Sequence, residues 1–313
     1  MSYGRFKALI NIFGQPLSFT ILMSIMGISI STYYGGLLVL SEISMIIGLV
    51  TLTTLTVFLL LNVILAKRKI WYSYNKVDYM ALISGVALTM IRFRLDYNMD
   101  LNVPLAILSI FYLIILFFTI REMAFLPSRI SFKYHLMGVA SVLISIGLDP
   151  IGLVRFLIIG FIVMGVCAYF YVSVAMVKRI LEVKDKLKLI DGSVWIQMGL
   201  SALISVAFIR TGSFLHFFHV LALFFWILAF SLLPVVMLIS IIKIVKSERK
   251  DLYYNPSSWS TVFPQAVFST DTFIITRIVH LVFMSLLYYL SLAIVVSATS
   301  LWFIFLILGT LEI

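Results

Sequence analysis

FFHVLALFFWILAFSLLPVVMLISII, residues 217–242, contains no Asp, Glu, Lys or Arg, and Lys243, Lys246, Arg249 and Lys250 follow it. Crossing the hydrocarbon of a bilayer takes about 20 apolar residues at about 1.5 Å of helix rise each, so this run is long enough to span. Lipid offers no partner for a peptide group, and the run is too long and too evenly apolar for a barrel strand. It reads as a transmembrane helix closed by a basic loop.

Reading outward, the same pattern recurs along the chain. Apolar runs between polar breaks predict helices at roughly 14–34, 42–66, 79–93, 102–120, 132–148, 152–177, 193–210, 217–242, 257–276 and 281–308. The fold class expected is an all-α integral membrane protein of ten transmembrane helices, one transmembrane domain over residues 1–313. Composition agrees: 63% of residues are hydrophobic and 12% charged, against about half and about a quarter in a soluble domain. A water-soluble globule is excluded. Arg5 and Lys7 precede the first run with no small-residue cleavage site after them, so an uncleaved first helix is expected.

Charge orients these helices. Basic residues cluster near 67, 121, 178 and 243, and on the ten-helix layout 18 of the 23 Lys and Arg fall on one side. That side is the cytoplasm, which puts both termini inside. The clusters also mark a repeat of five helical hairpins, at roughly 14–66, 79–120, 132–177, 193–242 and 257–308. The net charge of +10 is mostly this loop charge, and no nucleic-acid partner is expected from it.

The two helices of a hairpin differ in polarity. Helix 7 carries Gln197, Ser201 and Ser205 on one face, helix 1 carries Thr20, Ser24, Gly27 and Ser31, and helix 5 carries Gly138, Ser141 and Ser145. Ser84 in helix 3 and Thr270 in helix 9 belong to the same set. The even helices are more uniformly apolar, except helix 2 with Thr51, Thr53, Thr54 and Thr56. Small and hydroxyl residues allow close helix packing; recurring on the odd helices together, they also suit a ring of inner helices lining a pore.

Arg92, Arg210 and Arg277 end helices 3, 7 and 9 on the outer side. They would gather anions at a pore mouth, or else serve helix C-termini and headgroups. His216 and His219 lack a third ligand nearby, so neither metal nor cofactor is expected. His135 and His280 fall near helix ends. Asp271 lies at membrane depth, where it is either functional or paired with Arg277. No HExxH, Gly-x-Ser-x-Gly or phosphate loop occurs, so an enzyme is not expected. Every loop is short for a receptor domain.

Three runs carry a resemblance: Trp259-Ser260-Thr261-Val262-Phe263-Pro264, Phe13-Gly14-Gln15-Pro16-Leu17 and Trp195-Ile196-Gln197-Met198-Gly199-Leu200-Ser201-Ala202. With the helical layout, they resemble the tellurite-resistance/dicarboxylate transporter family, which includes malate and sulfite transporters and plant slow anion channels. The resemblance implies five hairpins with the odd helices around a central pore, in a homotrimer of the cell (plasma) membrane. It implies passage of small anions such as malate, chloride, nitrate or sulfite, channel-like, with a proton-coupled C4-dicarboxylate carrier or exporter as the alternative. It also implies a pore gate at Phe263, with Phe13 nearby and pore kinks at Pro264, Gly14 and Pro16. Val267 and Phe268 depart from the small residues the family often carries there.

Overall fold

Apolar runs in lipid must close their own backbone hydrogen bonds, which α-helices do within one segment. The computed structural model describes residues 9–65, 74–127, 130–152, 154–183, 192–212, 217–246, 259–279 and 282–312. Ten α-helices occur among them, and no strand. They are α1 (Phe19–Tyr34), α2 (Leu38–Leu65), α3 (Asp78–Tyr97), α4 (Asn102–Phe125) and α5 (Leu136–Gly147). Then come α6 (Val154–Glu182), α7 (Val194–Thr211), α8 (Phe217–Lys246), α9 (Val262–Val279) and α10 (Val282–Glu312). Short 3-10 turns, Pro16–Ser18 and Phe132–His135, lead into α1 and α5.

Several helices outrun their apolar segments. α3 continues past Phe93 to Tyr97, with Arg92 and Asp96 paired four residues apart along it. It ends at Asn98, whose left-handed backbone (φ 48°) donates to the Arg94 carbonyl. α9 begins later than its apolar run, at Val262, after a turn at Ser260–Thr261.

Among the described residues, seven helices are long and apolar enough to cross a membrane. α3, α5 and α9 are not among them. α5 has 12 residues, α3 carries Asp78, Arg92, Arg94 and Asp96, and α9 carries Asp271 and Arg277. A helix faced by protein rather than lipid need not be long or apolar all round.

Burial divides the helices into two sets. Every residue of α1 from Phe19 to Thr32 is buried, as is all of α5 and residues 262–272 of α9. α2, α4, α6, α8 and α10 instead expose large apolar side chains, among them Ile46, Phe111, Phe156, Phe224 and Phe283. Such surface belongs in lipid. The threonines of α2 fit this: Thr51, Thr53 and Thr56 donate to carbonyls one turn back in their own helix, so they face outward at little cost.

Among the buried helices α1 lies against α3 and α9, α5 against α3 and α7, and α7 against α9. α2, α6, α8 and α10 each pack on the buried helix before them, and α4 on both α3 and α5. Glycines set the closest approaches. A Cβ on Gly199 of α7 would sit 2.6 Å from the Pro264 Cβ of α9, and one on Gly138 of α5 would sit 3.1 Å from the Gly165 carbonyl of α6.

Candidate functional site: an axial cavity and its charged mouth

The five buried helices enclose a narrow cavity of about 50 Å³. α1 supplies Gly27 and Ile30, α3 Leu88 and Ile91, α5 Leu143 and Ile146, α7 Leu203 and Val206, and α9 Val267 and Thr270. The space admits a few waters at most, and an aliphatic wall offers them almost no hydrogen bonds, so it stays dry.

Toward one end Tyr34, Ile91, Ile146 and Val206 also line a cavity of about 680 Å³. Three arginines border it: Arg94, Arg210 and Arg277. Arg94 is largely neutralised, pairing with Asp149 and donating to the Gly147 carbonyl at 2.8 Å. Arg277 lies over the Phe273 ring, 4.8 Å from its centroid. Among the described residues, no carboxylate is within ion-pair distance of Arg210 or Arg277. Two uncompensated cations in a concave, partly apolar space attract anions.

Arg92, expected beside them, lies elsewhere. It is 1% exposed, donates to Ser29 Oγ (2.8 Å) and Ser41 Oγ (2.9 Å), pairs with Asp96 and sits over the Tyr33 ring. Its guanidinium clamps α1, α2 and α3. The mouth residue on α3 is Arg94, and sequence reading missed it. An acid four residues after Arg92, able to occupy that arginine, was the available signal.

At the other end of the narrow cavity Phe263 is buried against α1, and a Cβ on Gly27 would lie 3.4 Å from its ring. Gly27 therefore touches both the cavity and the ring. Pro264 occupies the first turn of α9, where a missing N–H leaves no helical bond broken, so it does not kink the helix at mid-membrane as expected. Phe13 is half-buried and meets Phe58 of α2, with centroids 5.9 Å apart. Gly14 lets α2 approach: a Cβ there would lie 2.7 Å from the Phe58 carbonyl, and Asn62 donates to the Gly14 carbonyl at 2.9 Å. Pro16 opens the 3-10 turn before α1.

The family model for voltage-dependent anion channels matches residues 15–311, nearly the whole chain. The chain belongs to the voltage-dependent anion channel family. This is the family that includes the tellurite-resistance and slow anion channel proteins. No curated protein sequence matches the chain. Voltage-dependent anion channel family members are transporters and channels rather than enzymes, and this one is a multi-pass membrane protein of anion transport.

Within this anion channel fold, most of the expected pore-lining hydroxyls serve helix packing. Ser24 donates to the Trp259 carbonyl, Ser141 to Phe161 of α6, and Ser201 to Phe225 of α8, at 2.6–2.8 Å. Ser145 and Thr20 bond carbonyls three residues back. Gln197 donates to Ser173 Oγ, and Gly138 is filled by Leu200. Only Gly27 and Thr270 of the expected set line the narrow cavity, Thr270 with its hydroxyl turned to the Ala266 carbonyl. Ser31 and Ser84 are buried, and among the described residues neither Oγ has a partner. In the low dielectric of a bundle a spare carbonyl is the nearest acceptor, so hydroxyls turn between helices rather than into the axis.

Asp271 is fully buried and accepts from Ser205 Oγ at 2.8 Å, rather than pairing with Arg277. His135 is buried, its Nδ1 donating to the Phe132 carbonyl and its Nε2 meeting Ser173. His219 packs on Gly212. His216 and His280 lie outside the described residues. No group of three metal-ligating side chains occurs among the described residues.

Proposed function

We propose that the chain is a channel-like conduit for small anions, inorganic anions such as chloride, nitrate or sulfite or a short dicarboxylate such as malate. Each chain carries its own pore on the axis of α1, α3, α5, α7 and α9, which act as the inner ring of five hairpins spanning the membrane ten times. One observation carries this reading: a dry aliphatic cavity lined from all five buried helices opens into a mouth holding Arg210 and Arg277, which have no carboxylate partner among the described residues.

In this reading anions gather in the mouth and are held there by weak, exchangeable attraction, as conduction requires. The aliphatic cavity forms the barrier, since an anion entering it loses hydration and gains nothing polar in return. Phe263 closes its inner end, and Phe13 stands farther in. The mouth faces outward, both termini are cytoplasmic, and the protein sits in the plasma membrane as a homotrimer. Support for this orientation is the bias of 18 of 23 basic residues to one side.

The test is current through purified protein in planar bilayers with chloride, nitrate, sulfite and malate. Anion-selective current that falls on Arg210→Gln is expected. Cation-selective current, or anion current indifferent to both Arg210→Gln and Arg277→Gln, overturns the path.

A further inference from the structure

Tyr34 lines both the narrow axial cavity and the arginine-bordered mouth, at the level where the two meet. The other residues lining both, Ile91, Ile146 and Val206, are aliphatic. Within the narrow cavity the other hydroxyl belongs to Thr270, whose proton goes to the Ala266 carbonyl at 3.0 Å. The Tyr34 side chain meets the rings of Tyr33 and Phe273, with centroids 6.0 and 6.2 Å away, and feels the charge of Arg210. Among the described residues its hydroxyl has no hydrogen-bond partner.

The ring is held in place. Tyr34 ends α1, and Gly35 after it donates its N–H to the Ser31 carbonyl at 3.1 Å. A Cβ on Gly35 would collide with the Tyr288 hydroxyl of α10, which itself donates to the Ser31 carbonyl at 3.2 Å. Phe273, which the Tyr34 ring packs against, lies 5.1 Å from the Tyr288 ring, and the Arg277 guanidinium covers it. The end of α1 is thus pinned by α10, and the phenol stands at the border of the space holding Arg210 and Arg277.

On the axial path an anion leaving the mouth sheds water before it meets an aliphatic wall. The hydroxyl of Tyr34 is the donor it passes at that point. A hydrogen bond to a charged acceptor is about twice as strong as one between neutral groups, and it forms only at contact distance. Compact anions such as chloride and formate accept such a bond strongly, whereas perchlorate and thiocyanate spread their charge and accept it weakly. We propose that Tyr34 is a specificity-determining residue of the pore, its hydroxyl donating to the anion at the threshold of the narrow cavity and favouring compact, strongly accepting anions. Arg210 and Arg277 gather anions of every kind, and Tyr34 sorts among them. The inference rests on the axial path proposed above and adds the residue that discriminates along it.

The experiment measures reversal potentials for chloride, formate and perchlorate across planar bilayers holding the full-length protein, as wild type, Tyr34→Phe and Tyr34→Leu. Tyr34→Phe keeps the ring and removes only the donor. It is expected to lower the permeability of chloride and formate relative to perchlorate about tenfold. The shift should be the same at about 0.01 M and about 1 M ionic strength, because a neutral donor is not screened. Its thermal midpoint in detergent should not fall, since no described residue accepts from the hydroxyl; a lower midpoint would give the hydroxyl a partner in the chain and overturn the inference. An unchanged ratio in Tyr34→Phe also overturns it, and a ratio altered only by Tyr34→Leu assigns the role to the ring instead. Arg210→Gln separates this inference from the path beneath it. If that variant lowers the current while Tyr34→Phe keeps the wild-type ratio, the path stands and the sorting by Tyr34 fails. If anion current is indifferent to both Arg210→Gln and Arg277→Gln, the path itself fails.

Discussion

The Phe263 ring lies directly on Gly27, so closely that a Cβ on that glycine would come within 3.4 Å of ring Cδ2. The glycine gives the ring a flat seat at one end of the axial cavity. Phe263→Ala is expected to raise single-channel conductance about tenfold or more, since each factor of ten removes about 1.4 kcal/mol of barrier. The aliphatic cavity stays in series, so adding Leu203→Ser, which wets it, should raise the current again. Folded Phe263→Ala protein with wild-type current would move the gate away from this ring, with Phe13 next to test.

The mouth arginines act through long-range charge, and salt distinguishes that from structure. At 0.01 M ionic strength the screening length is about 30 Å, and at 1 M about 3 Å. Arg210→Gln and Arg277→Gln should each lower anion conductance several-fold at low salt and much less at 1 M. Arg94→Gln should lower it less, because Asp149 already neutralises that guanidinium. A defect of equal size at both salt concentrations would assign these side chains a packing role.

Arg92 should behave in the opposite way. Its removal leaves Asp96 without its cation and takes one accepted hydrogen bond each from Ser29 and Ser41, whose hydroxyls still donate to one another's carbonyls, at the meeting of three helices. Arg92→Leu is expected to cost about 3 kcal/mol, read as a lower thermal midpoint in detergent, with the salt dependence of conductance unchanged in the surviving folded protein.

Topology has a direct check. In a Cys167→Ser background, single cysteines at Asn98 and Lys178 should be labelled by an impermeant maleimide from opposite sides of a sealed vesicle. Labelling from one side would mean a span is missing between α3 and α6 and would invert the mouth.

The helical layout and the contrast between buried and exposed helices were legible in the sequence, because lipid-facing and protein-facing positions demand different side chains. α2 is instructive: its threonines made it an exception among the even helices, yet they satisfy themselves on their own backbone. Lining was far less legible. Leu88, Leu143, Leu203 and Val267 form the narrow cavity and look in sequence like any other core residue. Ser141 and Ser201 stood out as pore candidates and bond to neighbouring helices. A hydroxyl's partner depends on which carbonyl lies across the interface, and no spacing rule encodes that. The choice between Arg92 and Arg94 turned likewise on Ser29 and Ser41, both distant in sequence.

The contact of Gly199 with Pro264 has a mechanical consequence. With no side chain on the glycine, α7 and α9 already touch at that point and cannot close further there, so a tilt of α9 would pivot near its N-terminal end. Arg277 lies 13 residues beyond the fulcrum, about 20 Å along the helix axis, so a tilt of about 10° sweeps it by roughly 3 Å. Phe263, one residue from the fulcrum, scarcely travels. Rocking α9 can therefore widen the mouth while leaving the ring seated, and unseating the ring takes a turn of its own side-chain torsion.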